Sequence, residues 1–70
     1  MKIYYTIHAK NRILKRKIEF VWIEEAIKYP DLAVRLELNR YALRKKLNGR
    51  SIEVIIQKER NIKVITLYWL

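Results

Sequence analysis

The fold is decided by residues 41–56, YALRKKLNGRSIEVII, in which apolar and polar residues alternate on both sides of Asn48-Gly49. Alternation with a period of two is typical of half-buried β-strands. Asn-Gly is a strong hairpin signal, because a type I′ turn needs positive φ at both central residues. With these two residues as the loop, Arg44 faces Glu53 and apolar residues face apolar residues. The remaining predicted pairs are Leu47 with Arg50, Leu43 with Val54, and Tyr41 with Ile56.

Further strands are predicted on both sides of this hairpin. Residues 34–38 alternate in the same way, and a two-residue turn at Asn39-Arg40 places Arg35 opposite Arg44. A last strand over residues 62–69 follows a turn near residues 60 and 61, and this register sets Lys58 opposite Lys63. Residues 1–6 contain β formers and predict a short strand or an extended arm.

Two helices are predicted ahead of these strands. Residues 7–17 contain good helix formers, and Thr6 can cap them. Residues 20–29 carry a broad apolar arc, and Pro30 ends this helix, because the residue before a proline disfavours the helical region. The predicted fold class is α+β. A single domain of residues 1–70 packs two N-terminal helices on one face of a three- to four-stranded antiparallel sheet, with or without the short N-terminal strand.

Net charge and residue types restrict the function. The chain of 70 residues has 16 Lys and Arg, seven Asp and Glu, and a formal net charge of +9. This balance favours a polyanionic partner, RNA or DNA, and the alternative is the solvated charged surface of a thermophile protein. Without cysteine and with one histidine, the sequence predicts no metal site and no cofactor. It contains no apolar run near the ~20 residues that span a bilayer and no signal peptide, so we expect a cytoplasmic protein without a membrane partner.

Three polar residues recur every four positions in the first predicted helix: His8, Arg12 and Arg16. In a helix they lie within an arc of about 80°. An imidazole can move a proton near neutral pH, and guanidinium groups stabilise charge on a phosphate. The spacing therefore predicts a catalytic site for a phosphodiester. The alternative is that His8 packs locally and the arginines are solvated or paired with glutamates.

The sheet face without helices is predicted to carry an excess of cations. Such a face suits a phosphate backbone, although an uncovered polar sheet face is ordinary in α+β domains. Trp22 and Trp69 are interpreted as core residues, not as base-stacking surfaces. The predicted nucleic-acid-binding residues are Arg35, Arg44, Lys46, Arg50, Thr66 and Tyr68. This face and the helix row could lie on opposite sides of the sheet, in which case only one of them is the site.

A series of landmarks runs along nearly the whole chain. In order they are His8-Ala9-x-x-Arg12-x-x-x-Arg16-x-Ile18, Ile23-Glu24-Glu25-Ala26-Ile27 with Pro30, Gly49-Arg50, and Val64-Ile65-Thr66. Together they resemble the family called domain of unknown function 4258. Two positions depart from that family's pattern: Lys17 stands where members often have glycine, and Glu19 stands where a Ser or Thr cap is common.

The resemblance implies a fold similar to the RelE/ParE toxin superfamily, which includes ribosome-dependent messenger-RNA endonucleases and gyrase inhibitors. A BrnT-like toxin, also small and basic, is the related alternative that the resemblance leaves open. The expected function is a toxin-like, RNA-binding, metal-independent endoribonuclease of a toxin–antitoxin system. His8 would transfer the proton, and Arg12 and Arg16 would clamp the phosphate.

Two other functions stay open: a non-catalytic nucleic-acid-binding module, and a toxin-like protein that acts on a protein target. The expected partners are RNA, including ribosome-bound messenger RNA, and an acidic antitoxin protein. A homodimer is also left open.

Overall fold

The computed structural model describes residues 2–70. The first strand and the two helices precede the remaining four strands along the chain. The elements are β1 (Ile3–Tyr5), α1 (Ile7–Arg16), α2 (Phe20–Lys28), β2 (Leu32–Arg35), β3 (Arg40–Leu47), β4 (Arg50–Lys58) and β5 (Ile62–Trp69).

The strands form one five-stranded mixed sheet in the order β1-β5-β4-β3-β2. The predicted three- to four-stranded antiparallel sheet is therefore wrong, although the α+β class holds. β1 pairs in parallel with β5, and Ile3 lies opposite Ile62. Parallel neighbours require a long crossover. Here nearly the whole chain separates the two strands, so no local sequence signal indicates their pairing.

The β3–β4 hairpin has the predicted register. Arg44 lies opposite Glu53, and Leu47 lies opposite Arg50. Asn48 has φ 47° and Gly49 has φ 84°, which are the positive values that a type I′ turn requires. This prediction is confirmed because turn chemistry and alternation agree on one pairing.

The predicted β2–β3 register is wrong. Arg35 lies opposite Tyr41 and not opposite Arg44. The turn is centred on Leu38 and Asn39, whose φ values are 58° and 60°. Leucine rarely adopts positive φ, so the sequence carried little signal for this turn. The observed register also avoids two arginines side by side, which is unfavourable.

A β-bulge in β5 corrects the predicted register of the last hairpin. Lys58 lies opposite Ile62, so the predicted pairing of Lys58 with Lys63 is wrong. Farther along the strand, Thr66 lies opposite Ile55, and Ile65 is skipped by the pairing. An extra residue turns the following side chains to the other face of the sheet. The bulge thereby places Thr66 on the face without helices.

Both helices pack on the same face of the sheet: α1 against β5, and α2 against β3 and β4. Lys17 ends α1 in the left-handed conformation, with φ 53°, which explains why glycine would suit this position. Glu19 makes no side-chain hydrogen bond at the start of α2, as its departure from the cap pattern implies. Neither helix within residues 2–70 is long and apolar enough to cross a membrane. The buried apolar residues are Ala9, Ile13, Ile18, Ile23, Ala26, Leu43, Ile52, Val54, Ile56, Val64 and Leu67.

Candidate nucleic-acid interface

The first turn of α1 is tied to the bulge of β5 through Thr6. The Thr6 amide donates to the Val64 carbonyl over 3.1 Å, and the Thr6 hydroxyl donates to the Ile65 carbonyl over 2.9 Å. The same hydroxyl accepts from the Ala9 amide over 3.0 Å, as a helix cap does. These bonds fix the start of α1 against the edge of β5 that the short β1 leaves uncovered.

His8 lies beside Thr66 because of this attachment. Its Nε2 atom is 3.1 Å from the Thr66 Oγ1 atom, and the Arg12 Nε atom donates to the same Nε2 over 3.2 Å. An arginine Nε–H can only donate, so Nε2 is the acceptor of this contact. His8 is exposed. Its Nε2 atom therefore faces two polar groups, the Arg12 Nε–H and the Thr66 hydroxyl.

The cations of α1 surround a hollow of about 280 Å³ next to this histidine. Its lining residues are His8, Asn11, Arg12, Lys15 and Arg16. The ion pairs found in residues 2–70 involve other cations, Arg44 and Lys45. The first turn of α1 contains no acidic residue. The predicted row of His8, Arg12 and Arg16 is therefore brought together, and its charges are available to an external anion.

The face without helices holds a hydrogen-bonded network around Glu53. The Arg44 Nη2 atom is 2.9 Å from Glu53 Oε1, and Arg44 Nε donates to the same oxygen over 3.2 Å. The Tyr68 hydroxyl donates to the other oxygen, Oε2. One carboxylate thus binds two of the residues that were predicted to contact nucleic acid.

These contacts change the acidity of both partners. The hydrogen bond from Tyr68, with that from Arg44, holds the pKa of Glu53 below its ordinary value. The same hydrogen bond to a carboxylate raises the pKa of Tyr68. Glu53 is thus stabilised as a carboxylate, and Tyr68 is stabilised as a protonated phenol. Neither group suits proton transfer near neutral pH.

The other predicted binding residues fall into two groups. Lys46 and Thr66 share the helix-free face with Arg44 and Tyr68, since Lys46 lies opposite Ser51 and Thr66 opposite Ile55. Arg35 lies on the helix side, because it pairs with Tyr41, whose side chain packs against the core. Arg50 also lies on the helix side, where it covers Trp69. Placing Arg35 on the helix-free face is wrong, because the β2–β3 register is displaced.

The helix row and the helix-free face meet at one point, so they are not alternatives. The contact between His8 and Thr66 joins the first turn of α1 to β5. Tyr68 follows Thr66 by two positions on that strand and faces the same side. A polyanion crossing this edge of the sheet can therefore contact both surfaces. No three His, Cys, Asp or Glu side chains within residues 2–70 are grouped so as to hold a metal ion.

A second depression was missed by the sequence interpretation. It lies beyond the end of α1 and has a volume of about 350 Å³. Trp22 and Trp69 meet edge to face with ring centroids 5.8 Å apart, and the Arg50 guanidinium carbon lies 4.2 Å from the Trp69 ring centre. Both tryptophans pack against the core but keep part of their surface exposed. The register of β4 and β5 could have indicated this depression. Ile52 lies opposite Trp69, so Arg50, two positions before Ile52, is a diagonal neighbour of the Trp69 ring.

Comparison with known proteins identifies the family. A family model described as Domain of unknown function (DUF4258) matches residues 5–69, and the chain belongs to that family. The resemblance noted from the sequence is thereby confirmed at the level of the family. No curated protein and no solved structure matches the chain significantly.

Proposed function

We propose that this protein binds RNA along α1 and the adjoining edge of the sheet and cleaves it without a metal ion. The contact of His8 Nε2 with Thr66 and Arg12 carries the proposal. It places an exposed imidazole nitrogen beside a cationic hollow. Phosphate groups in that hollow would be held by Arg12 and Arg16, as charge-assisted hydrogen bonding to guanidinium groups favours.

The proposed reaction is attack of a ribose 2′-oxygen on the adjacent phosphorus. When the Arg12 guanidinium turns from His8 to the phosphate, the lone pair of His8 Nε2 is released and takes the proton of the 2′-hydroxyl as the bond from that oxygen to phosphorus forms. The bond from phosphorus to the 5′-oxygen breaks, and this oxygen takes a proton from a solvent water, whose hydroxide then takes the proton held by His8. The products are a 2′,3′-cyclic phosphate and a 5′-hydroxyl. The guanidinium groups of Arg12 and Arg16 stabilise the charge that develops on the phosphate oxygens.

A second function, RNA binding without cleavage, is favoured by one observation. The one acidic residue in the five strands, Glu53, is held ionised by Tyr68 and Arg44. General acid–base catalysis commonly uses two groups, and His8 is the one histidine of the sequence. If a single histidine is not enough, the same surface is a binding module.

The biological setting is also a proposal. The net charge of +9 supports an acidic antitoxin protein as a partner, because its negative charge would neutralise the positive charge of this protein and block its RNA-binding surface. The protein would then be the toxin of a toxin–antitoxin pair that acts on messenger RNA in the cytoplasm. A toxin-like action on a protein target is a further proposal, which growth measurements distinguish from action on messenger RNA. A homodimer is another, which sedimentation measurements test.

The experiment compares His8→Ala with Asn11→Ala, since Asn11 lines the same hollow but does not transfer protons. Loss of the imidazole should lower the cleavage rate by a factor of about 10² to 10⁴. Affinity for a non-cleavable RNA should change by no more than about tenfold, the value of one hydrogen bond. Asn11→Ala should cleave nearly as fast as the parent. Circular dichroism checks that each variant is folded.

Two outcomes count against catalysis by His8. If folded His8→Ala cleaves as fast as the parent, this histidine does not transfer the proton. If the parent binds RNA but leaves it intact with and without ribosomes, the binding-module function replaces the enzyme.

A further inference from the structure

The depression beyond α1 combines flat aromatic surface with positive charge. Arg50 lies over one face of Trp69, and Trp22 supports that ring from the side. Arg16 and Lys17 complete the cationic wall. The Arg50 guanidinium carbon lies 4.2 Å from the centre of the Trp69 ring, where cation–π attraction holds it. A planar guanidinium is also a group on which a base can stack.

The lining of this depression indicates what it can accept. None of its lining residues within residues 2–70 is acidic, whereas three of them, Arg16, Lys17 and Arg50, are cationic. Arg50 is exposed and makes none of the ion pairs of residues 2–70. Such a surface fits a ligand that has a planar aromatic ring and a negatively charged group close to that ring. Nucleobases stack on aromatic rings and on arginine planes, and their phosphates are anionic.

The depression adjoins the proposed RNA-binding hollow. Arg16 lines both, so a strand held at His8 and Arg12 can reach the second depression by following α1. The helix rises about 1.5 Å per residue, which sets His8 and Arg16 roughly 12 Å apart along its axis. A chain with unpaired bases can turn one base into the depression at that distance, whereas a base in a duplex is stacked and paired and cannot.

We propose that the depression formed by Arg16, Trp22, Arg50 and Trp69 binds an unpaired nucleobase of single-stranded RNA, by stacking on Arg50 above Trp69. This inference rests on the proposed RNA binding and adds the form of the substrate. The hollow of α1 holds the backbone, and the aromatic depression selects strands whose bases are free.

The test separates backbone binding from base binding. Four short RNAs of equal phosphate number are titrated: adenine-rich, uracil-rich, base-free along the whole ribose chain, and fully duplex. The chain has two tryptophans, Trp22 and Trp69, and both lie in the depression, so their fluorescence reports its occupancy directly. The strands with free bases should bind about five- to one hundred-fold more tightly than the base-free strand, as stacking of one base predicts. They alone should change the fluorescence.

Arg50→Lys is the decisive variant, because it keeps the charge and removes the planar stacking group. It should abolish most of the difference between free-base and base-free strands while leaving affinity for the base-free strand unchanged. The matched control is Arg44→Lys on the helix-free face, which should leave the difference intact.

Each outcome has a definite meaning. If base-free and free-base strands bind equally and the fluorescence does not change, the base site is wrong while the proposed backbone binding stands. If the preference for free bases survives in Arg50→Lys, the base does not stack on Arg50, and the proposed base site is wrong. If none of the four RNAs binds, RNA binding itself fails, and the base site fails with it.

Discussion

The α1 row and the helix-free sheet face are both basic, yet they differ in what their charges already bind. On α1, Arg12 donates to the His8 Nε2 atom, and neither Arg12 nor Arg16 makes any of the ion pairs of residues 2–70. On the sheet, Arg44 is paired with Glu53, which also accepts from Tyr68. The first surface offers unneutralised charge to a ligand. On the second surface, the charge of Arg44 is already neutralised by Glu53 within the protein.

This difference shows that a count of cations does not identify a binding surface. The sequence interpretation gave Arg44 and Tyr68 the same role as Lys46 because all three were predicted to share one face. The structure retains Lys46 as an exposed cation, but its neighbours form a network with a carboxylate. An anion approaching Arg44 must compete with Glu53, so the α1 row should dominate RNA binding.

The largest expected effect concerns the turn that holds the sheet network in register. Gly49→Val forces a β-branched residue to φ 84°, which should lower the free energy of unfolding by about 1 to 3 kcal/mol. Apart from Gly49 and its two chain neighbours, no heavy atom within residues 2–70 lies within 4 Å of an added Cβ, so the cost comes from the local backbone. Urea denaturation measures it.

The matched control is Ser51→Val, in which the same residue enters an extended strand position and should change stability by less than about 0.5 kcal/mol. Affinity of the folded Gly49→Val protein for the base-free RNA should stay near that of the parent, because α1 is untouched, whereas Arg50 of the aromatic depression adjoins the altered turn. An unchanged denaturation midpoint in Gly49→Val would contradict the role assigned to the turn.

The next prediction compares one arginine from each surface. Arg12→Gln should weaken binding to single-stranded RNA by about five- to tenfold near 0.1 M salt and reduce the slope of log K against log salt by about 0.7. Arg44→Gln should change both quantities less, because Glu53 already neutralises that cation. Titrations at several salt concentrations measure the two slopes. Equal losses in both variants would show that the sheet face binds as strongly as α1.

The smallest effect is a dependence of stability on pH at the Glu53 network. The pKa of Glu53 is lowered by folding, so its contribution is present above the ordinary value of 4.5 and is lost as pH falls through the lowered folded value. The pKa of Tyr68 is raised, so its contribution is present below the ordinary value of 10.0 and is lost as pH rises through the raised folded value.

Tyr68→Phe tests this coupling, because it removes the hydrogen bond that contributes most to the lowered pKa of Glu53. The substitution should lower the free energy of unfolding by about 1 kcal/mol at neutral pH. The free energy of unfolding should also fall less steeply than in the parent between roughly pH 5 and pH 3. Thermal melts across the pH range measure both. A steeper acid loss in Tyr68→Phe would contradict the assignment.

The sequence by itself determined the elements whose signals are local. The β3–β4 hairpin follows from alternation around Asn48-Gly49, and both helices follow from apolar periodicity with Thr6 and Pro30 at their ends. The α1 row was predictable for the same reason, since a four-residue spacing on one helix needs no distant contact to place its members on one side.

Only the tertiary structure decided how these elements meet. The parallel pairing of β1 with β5, and the bulge at Ile65, place His8 beside Thr66 although 58 residues separate them. Arg50 likewise meets Trp69 only because β4 and β5 pair in the observed register. Local propensity and period act over a few residues, whereas strand order and register are set by which faces can share one core. Packing therefore brings His8 of α1 next to Thr66 of β5, and the periodicity of the sequence alone could not predict this contact.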